Sequence, residues 1–79
     1  MVVLPTSPTL AAVRRALGLS QTIAAMNAGT SLDAVARAEE GSGLPASTVD
    51  TVAKLVRSYE RQGVEFLENG FVLRFQPTM

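Results

Sequence analysis

The segment from residue 19 to 43, LSQTIAAMNAGTSLDAVARAEEGSG, constrains the fold more than any other part of the chain. Its apolar residues recur at helical spacing on both sides of Gly29, a residue type that readily adopts the positive φ found at helix C-termini. Ser20 stands where the N-cap of the first helix belongs. The segment therefore predicts two short helices joined by a glycine turn. The inward residues predicted for the first of them are Ile23, Ala24 and, as a further candidate, Met26.

The second helix of this segment is expected to begin at Thr30 or Ser31. Thr30, with Asp33 three residues further on, offers a capping pair. The GSG sequence at 41–43 ends the helix. The apolar positions predicted for this helix are Leu32, Val35 and Ala36.

Two further helices are predicted on either side of this segment. The earlier one is capped by Thr9 and ends at Gly18. The later one is capped by Ser47, with Asp50 completing a capping box, and ends at Gly63. The inward residues are Leu10, Val13 and Leu17 in the earlier helix, and Val49, Val52, Val56 and Tyr59, with Leu55 beside them, in the later one.

The final segment, VEFLENGFVLRF, changes from helical spacing to alternation. The NG pair at 69–70 is typical of a type I′ hairpin turn, because both residues tolerate positive φ. Folding about this pair places Glu65 opposite Arg74. One predicted face holds this ion pair with Leu67 and Val72, and the other holds Val64, Phe66, Phe71, Leu73 and Phe75.

Both faces of this hairpin are partly apolar. Together they carry more apolar surface than a two-stranded ribbon can bury against a small helical body. Three explanations remain open. The N-terminal MVVL could add a third strand, a second copy of the chain could cover the hairpin, or the hairpin could simply pack on the fourth helix.

Length and composition bound the class of protein. With 79 residues we expect one domain over 1–79, made of a helical body at 9–62 and a hairpin at 63–76. The start has no basic flank of a secretory signal and no apolar run is long enough to span a bilayer, so a cytoplasmic protein is expected. The sequence has no Cys and no His. We therefore expect no enzyme activity, no metal and no cofactor.

Charge is balanced overall but unevenly distributed. Seven Lys and Arg match seven Asp and Glu. Residues 1–29 carry two arginines and no acid, whereas residues 30–41 carry one arginine and three acids, a net charge of −2. The field that usually draws a basic domain to nucleic acid is therefore absent, and local charge has to replace it.

The order of motifs resembles the Cro and phage-repressor type of helix-turn-helix protein. The resemblance rests on RRALGLSQ, AG at 28–29, Ser31, EEG at 39–41 and GVEFLENG at 63–70, and spans about residues 9 to 75. It implies a mainly α fold with a small β element: a four-helix, lambda repressor-like domain followed by a C-terminal β-hairpin that an N-terminal strand could extend. It further implies a DNA-binding transcription regulator that acts as a homodimer through the hairpin and inserts helix three, about 31–40, into the major groove.

The resemblance also assigns residues. Ser20 and Gln21 match the start of a helix that opens on a phosphate. Arg14 and Glu39 match a pair that ties helix one to the end of helix three, for which we expect a structural role. DNA contacts are implied at Ser20, Gln21, Thr30, Ser31, Leu32, Asp33, Ala34 and Arg37. Candidate phosphate contacts are Arg14, Arg15, Ser47 and Lys54, and candidate dimer contacts are Phe66, Phe71, Leu73 and Phe75.

The base-reading positions depart from what DNA favours. Guanine is bound by Arg or Lys and adenine by Asn or Gln, whereas Leu32 can only touch a thymine methyl and Asp33 can only accept from cytosine. Arg37 is the strong reader that remains. An alternative function is therefore a helix-turn-helix-derived interaction module that binds a regulator or other protein partner and has weak or no DNA binding.

Overall fold

The computed structural model describes residues 5–41, 49–68 and 70–74. In this part of the chain four helices are followed by one two-stranded antiparallel hairpin, so the predicted mainly helical fold with a C-terminal hairpin is confirmed. The predicted N-terminal strand at MVVL lies outside the described residues. The elements are α1 (Ser7–Ala16), α2 (Gln21–Ala28), α3 (Leu32–Glu39), α4 (Val49–Arg61), β1 (Val64–Leu67) and β2 (Gly70–Leu73).

Helix α1 begins earlier than predicted. Thr6, not Thr9, is the N-cap, and its Oγ1 accepts a hydrogen bond from the backbone N of Thr9 at 3.4 Å. Pro8 sits in the first turn, where a missing backbone N–H has no cost because no intrahelical acceptor is available there. Pro8 therefore lies inside α1, whereas Pro5 precedes it.

The turn between α2 and α3 is confirmed where predicted. Ser20 caps α2, its Oγ accepting from the backbone N of Ile23 at 3.1 Å. Gly29 adopts φ 72°, and the backbone N of Thr30 donates to the carbonyl of Ala25 at 2.9 Å. This bond pattern is a glycine-terminated helix end, which needs the left-handed conformation that glycine adopts without strain.

The cap of α3 is Ser31, one of the two predicted starting points. Its Oγ accepts from the backbone N of Ala34 at 3.1 Å. The predicted capping pair of Thr30 with Asp33 is wrong, because Thr30 already closes the end of α2 through its own backbone N. Shifting the cap by one residue places Ala34, not Asp33, at the third helical position.

The core is formed by small and medium side chains from all four helices. Ala24, Ala25 and Ala38 are buried where α2 and α3 meet their neighbours. The larger buried residues, several of which were predicted, are Leu10, Val13, Val35, Val52, Leu55, Tyr59 and Val64. Leu17 and Val56 pack against this cluster from partly buried positions.

Four apolar residues predicted to face inward do not. Ile23 is 43% exposed, Met26 70%, Leu32 48% and Val49 67%. In α2 the inner face is taken by the two small residues Ala24 and Ala25, which bring the helix close to its neighbours. Ile23 and Met26 are therefore left on the outer side of the helix. The predicted cap of α4 at Ser47 lies outside the described residues.

The hairpin forms, but each residue of β1 lies opposite a residue two positions earlier than predicted, so that Glu65 faces Val72 and not Arg74. Gly70 lies opposite Leu67 and belongs to β2, not to the turn. This register sets Phe66 directly opposite Phe71, and both rings pack against the core. The predicted register would have placed Phe71 opposite Glu68, next to the turn. Which side chains share a face is unchanged.

Gly63 fixes the start of the hairpin. It adopts φ 97°, and its carbonyl accepts from the backbone N of Arg74 at 2.6 Å. A Cβ at this position would lie 2.8 Å from the carbonyl oxygen of Arg74, so a side chain cannot be added without moving the backbone. Glycine is thus required both for the conformation and for the approach of the two strands.

None of the helices in the described ranges combines the length and the apolar character that crossing a bilayer demands.

Candidate nucleic-acid interface

A partly buried ion pair joins the ends of α1 and α3. The Nε of Arg14 lies 2.7 Å from Oε2 of Glu39, and Nη2 of Arg14 donates to Oε1 of Glu39 at 3.0 Å. The side chains are only 13% and 6% exposed, respectively. The two parallel bonds make this a bidentate pair, the strongest geometry available to arginine and a carboxylate. The predicted link between helix one and the end of helix three is confirmed.

The same carboxylate also holds α2. The amide Nε2 of Gln21 donates to Oε1 of Glu39 at 3.1 Å, while Nη1 of Arg14 donates to the carbonyl of Leu19 at 2.9 Å. Glu39 therefore receives bonds from α1 and from the first turn of α2. We call Arg14, Gln21 and Glu39 the carboxylate hub. It fixes the relative positions of α1, α2 and α3.

Two residues with implied DNA contacts belong to this hub. The guanidinium of Arg14 donates to Glu39 and to the carbonyl of Leu19, and its hydrogen bonds to the Glu39 carboxylate raise its pKa. Such an arginine holds the scaffold, because three of its five N–H donors bond within the protein and its side chain is only 13% exposed. Gln21 likewise directs an amide N–H inward, toward Glu39. We therefore assign Arg14 a structural role and leave it out of the interface proposed below.

Tyr59 lies beside the hub on α4. Its side chain is fully buried, and its hydroxyl has no hydrogen-bond partner within residues 5–41, 49–68 and 70–74. Burial, reinforced by the Glu39 carboxylate and opposed by Arg14, raises the pKa of Tyr59 to about 12. Its ring also packs against Phe66, with centroids 6.5 Å apart. The ring therefore contributes packing, whereas the hydroxyl is a desolvated polar group.

Replacing Tyr59 with phenylalanine is expected to leave stability at pH 7 unchanged or to raise it by about 1 kcal/mol, because a buried hydroxyl without a partner is removed. The wild type should also lose stability as pH rises from 10 to 12, since only the unfolded state can ionise the phenol in that range. Tyr59→Phe should lack this loss. Denaturant unfolding at pH 7 and across the alkaline range measures both effects. Tyr59→Leu, which loses the ring contact with Phe66, is the destabilised control, and a Phe variant as unstable as the Leu variant would contradict the account.

The outer side of α3 gathers most of the residues with implied base contacts. Ser31, Leu32, Asp33 and Arg37 are exposed, while Val35 and Ala38 point into the core. The remaining implied positions, Thr30 and Ala34, are half-buried at the start of the helix. One helix therefore presents these residues together, anchored through its buried side.

The acid excess of residues 30–41 is smaller in the structure than in the sequence. Glu39 is paired with Arg14, and Oδ2 of Asp33 lies 3.1 Å from Nε of Arg37. The Asp33–Arg37 pair is solvent-exposed on both sides, so it contributes little to stability. Glu40, at the C-cap of α3, is exposed. It is the one acidic residue of α3 and its caps that has no ion pair in the described part of the chain. Local charge on this face is therefore close to neutral rather than strongly negative.

Other basic residues lie on α1 and α4. Arg15 is exposed, and Nζ of Lys54 lies 3.4 Å from Oδ2 of Asp50. Arg57 and Arg61, which the sequence reasoning did not single out, are also exposed. Their spacing from Lys54, by three and seven residues, puts all three on one side of α4, and this spacing could have revealed them. Ser47 lies outside the described residues.

The outer side of α2 is uncharged. It consists of Thr22, Ile23, Met26 and Asn27, all exposed. The helix contains no acidic or basic residue, unlike the outer sides of α3 and α4. Its two large apolar side chains, Ile23 and Met26, are exposed, as is Leu32 at the start of α3.

The hairpin turns one face to the helical body and the other outward. Phe66 and Phe71, two candidate dimer contacts, pack against the core of their own chain. The outward face carries Leu67 and Val72, both exposed, with an ion pair between Glu65 and Arg74. Glu65 lies opposite Val72, so it meets Arg74 diagonally rather than directly across the ladder. Leu73 is 40% exposed, and Phe75 lies outside the described residues.

Comparison with protein-family models, with curated proteins and with solved structures finds no match.

Proposed function

We propose that this chain is a DNA-binding transcription regulator of the Cro and phage-repressor type, without enzyme activity, that inserts α3 into the major groove. The observation that carries the proposal is the construction of α3. Its inner side is anchored by Val35, Ala38 and the carboxylate hub, and its outer side presents Ser31, Leu32 and Arg37 uncovered. A helix that is rigidly held yet exposed from its first turn is what reading a groove requires.

Phosphate contacts should come from the helix starts and from a few cations. The N-termini of α2 and α3, capped by Ser20 and Ser31, offer backbone N–H groups to an anion. Among the cations, Arg15 and Lys54 match the implied phosphate contacts and are at least partly exposed. This small set predicts weak binding per protomer and a need for two protomers on one site.

Binding of labelled genomic fragments at graded salt tests the proposal. With about two phosphates neutralised by each protomer, a dimer should show a slope of log K against log salt of about −4. Fluorescence anisotropy measures it, and a scrambled duplex is the control for specificity. If no salt-dependent binding is found at micromolar protein concentration, DNA binding is excluded as the function.

The hairpin is the surface that we propose for homodimerisation. Gly63 and Arg74 form a hydrogen-bonded pair of the antiparallel ladder. Because hydrogen-bonded and non-hydrogen-bonded pairs alternate, the backbone N–H and C=O groups of Phe71 and Leu73 point away from β1. No third strand pairs with this edge among the described residues. Two β2 strands related by a two-fold axis at Val72 would pair Phe71 with Leu73 in both directions. The interface therefore uses the edge and outer face of the hairpin, not the phenylalanine face that packs on the core.

Replacing Val72 with aspartate should shift the dimer to monomer. It would set two like charges against each other at the two-fold axis, and we expect at least about tenfold weaker self-association. Light scattering over a range of concentrations measures the mass. Thr22→Asp adds the same charge to an exposed position on α2 and is the matched control. A wild type that is monomeric at tens of micromolar, or a Val72 variant that stays dimeric, would exclude this interface.

A second function is favoured by the uncharged outer side of α2. Ile23 and Met26 are large, apolar and exposed there, which is the composition of a protein contact rather than of a phosphate contact. In this alternative the chain is an interaction module that binds a regulator or other protein partner. A tagged protein should then recover that partner from nuclease-treated lysate, and Met26→Glu should abolish the recovery. Recovery that persists in Met26→Glu would exclude this surface.

A further inference from the structure

The exposed ion pair on α3 has an asymmetric geometry. The closest contact of the pair joins Oδ2 of Asp33 to Nε of Arg37 at 3.1 Å, and no hydrogen bond from Nη1 or Nη2 is found within the described residues. Nε lies on the side of the guanidinium, next to the aliphatic stem, whereas Nη1 and Nη2 form its far end. Within the described part of the chain, no other partner is found for Arg37. The far end therefore keeps two parallel N–H donors available.

The pair lies on the outer side of the helix that the proposed function places in the groove. Asp33 is in the first turn of α3 and Arg37 one turn later, so both point to the same side. Their side chains are 75% and 65% exposed, so neither is held by packing. The carboxylate is thus the feature that restricts where the arginine points.

Charge also argues against a phosphate as the target of this arginine. A carboxylate beside a guanidinium lowers its net attraction for an anion, and an aspartate in the first turn is itself repelled by the DNA backbone. A base edge carries no net charge and does not impose this repulsion. Guanine offers two acceptors, N7 and O6, at the spacing of one end of a guanidinium.

We propose, resting on the proposed DNA-binding function, that Asp33 is a positioning residue that directs the Nη end of Arg37 onto a guanine. Asp33 binds Nε, and Arg37 donates from Nη1 and Nη2 to O6 and N7 of the base. The acidic residue on the reading helix then contributes specificity as well as a repulsive charge. It lowers affinity for DNA in general while raising the preference for one base.

The proposal is tested by comparing one preferred duplex, selected from a randomised pool, with a random duplex. Wild-type binding should require guanine at one position, and replacing this base with 7-deazaguanine should weaken binding by about tenfold. Asp33→Ala should lose most of this preference at that position alone. It should also bind the random duplex more tightly than the wild type does, because an acid has been removed. Glu40→Ala, which removes an acid from the C-cap of α3, is the matched control and should keep the base preference.

Each result decides between distinct conclusions. If Asp33→Ala strengthens binding to both duplexes by the same factor, Asp33 is only a repulsive charge and the positioning role is excluded. If the base preference survives in Arg37→Ala, Asp33 itself contacts the cytosine of the preferred base pair. That direct contact then replaces this proposal. If the wild type binds neither duplex, the proposed function itself fails. Melting temperatures equal to wild type in all variants establish that the fold is unchanged.

Discussion

Glu39→Ala is expected to lower the free energy of unfolding by about 3 kcal/mol, the largest stability effect in this chain outside the apolar core. The substitution leaves the guanidinium of Arg14 partly buried without its carboxylate and removes the acceptor of the Gln21 amide. For a domain of this size such a change is a large share of the total stability. Urea unfolding followed by circular dichroism measures it.

The next residue supplies the control for this experiment. Glu40→Ala removes the same side chain from an exposed position and should change stability by less than about 0.5 kcal/mol. The double variant Arg14→Leu, Glu39→Leu should recover part of the loss, because no unpaired charge remains. Equal free energies of unfolding for the Glu39 and Glu40 variants would show that the carboxylate hub does not hold the helices together.

Arg37→Ala is expected to have the largest effect on DNA binding among substitutions of exposed residues. Loss of a bidentate base contact should weaken binding to the preferred duplex by about tenfold to a hundredfold, with a smaller change on random DNA. Anisotropy titrations on both duplexes measure the two effects.

The control here separates position from charge. Arg57→Ala removes one exposed arginine from α4, on a side of the helix that faces away from its buried residues. It should reduce binding to both duplexes by the same small factor or not at all. If the Arg57 and Arg37 variants weaken binding equally on both duplexes, the chain binds DNA through total charge and α3 does not read bases.

Much of the fold follows from local sequence signals. Gly29 predicted the turn between α2 and α3, and Ser20 predicted a cap, because each residue type solves a backbone problem at one place in the chain. The link between Arg14 and Glu39, 25 positions apart, followed instead from the resemblance of the motif order. Local chemistry alone does not pair residues so far apart in sequence.

The wrong predictions concern positions where two local arrangements are equally compatible with the sequence and tertiary packing determines which one forms. In α2, Ile23 and Ala24 are adjacent and either could face inward; close approach of the helices selects the alanine. In the hairpin, the NG pair favours a turn at 69–70, but burying Phe66 and Phe71 side by side selects the neighbouring turn. Both outcomes depend on the volume available beneath the element, which the local pattern does not encode.

The charge of the candidate site could likewise be predicted only in part from the sequence. Counting residues gave −2 for 30–41, yet two of the three acids are ion-paired, one of them with an arginine from α1. The sequence spacing of Asp33 and Arg37 permits a helical pair, whereas which atom of the guanidinium the carboxylate contacts is known only from coordinates.

Backbone amide chemical shifts measured during titration with a preferred duplex test the central claim most directly. The account predicts the largest changes at residues 31–37, with smaller ones at Ser20 and the start of α2, and little change at the outer residues of α2. Changes centred instead on Ile23 and Met26, or no changes at concentrations where the protein is folded, would contradict the placement of α3 in the groove.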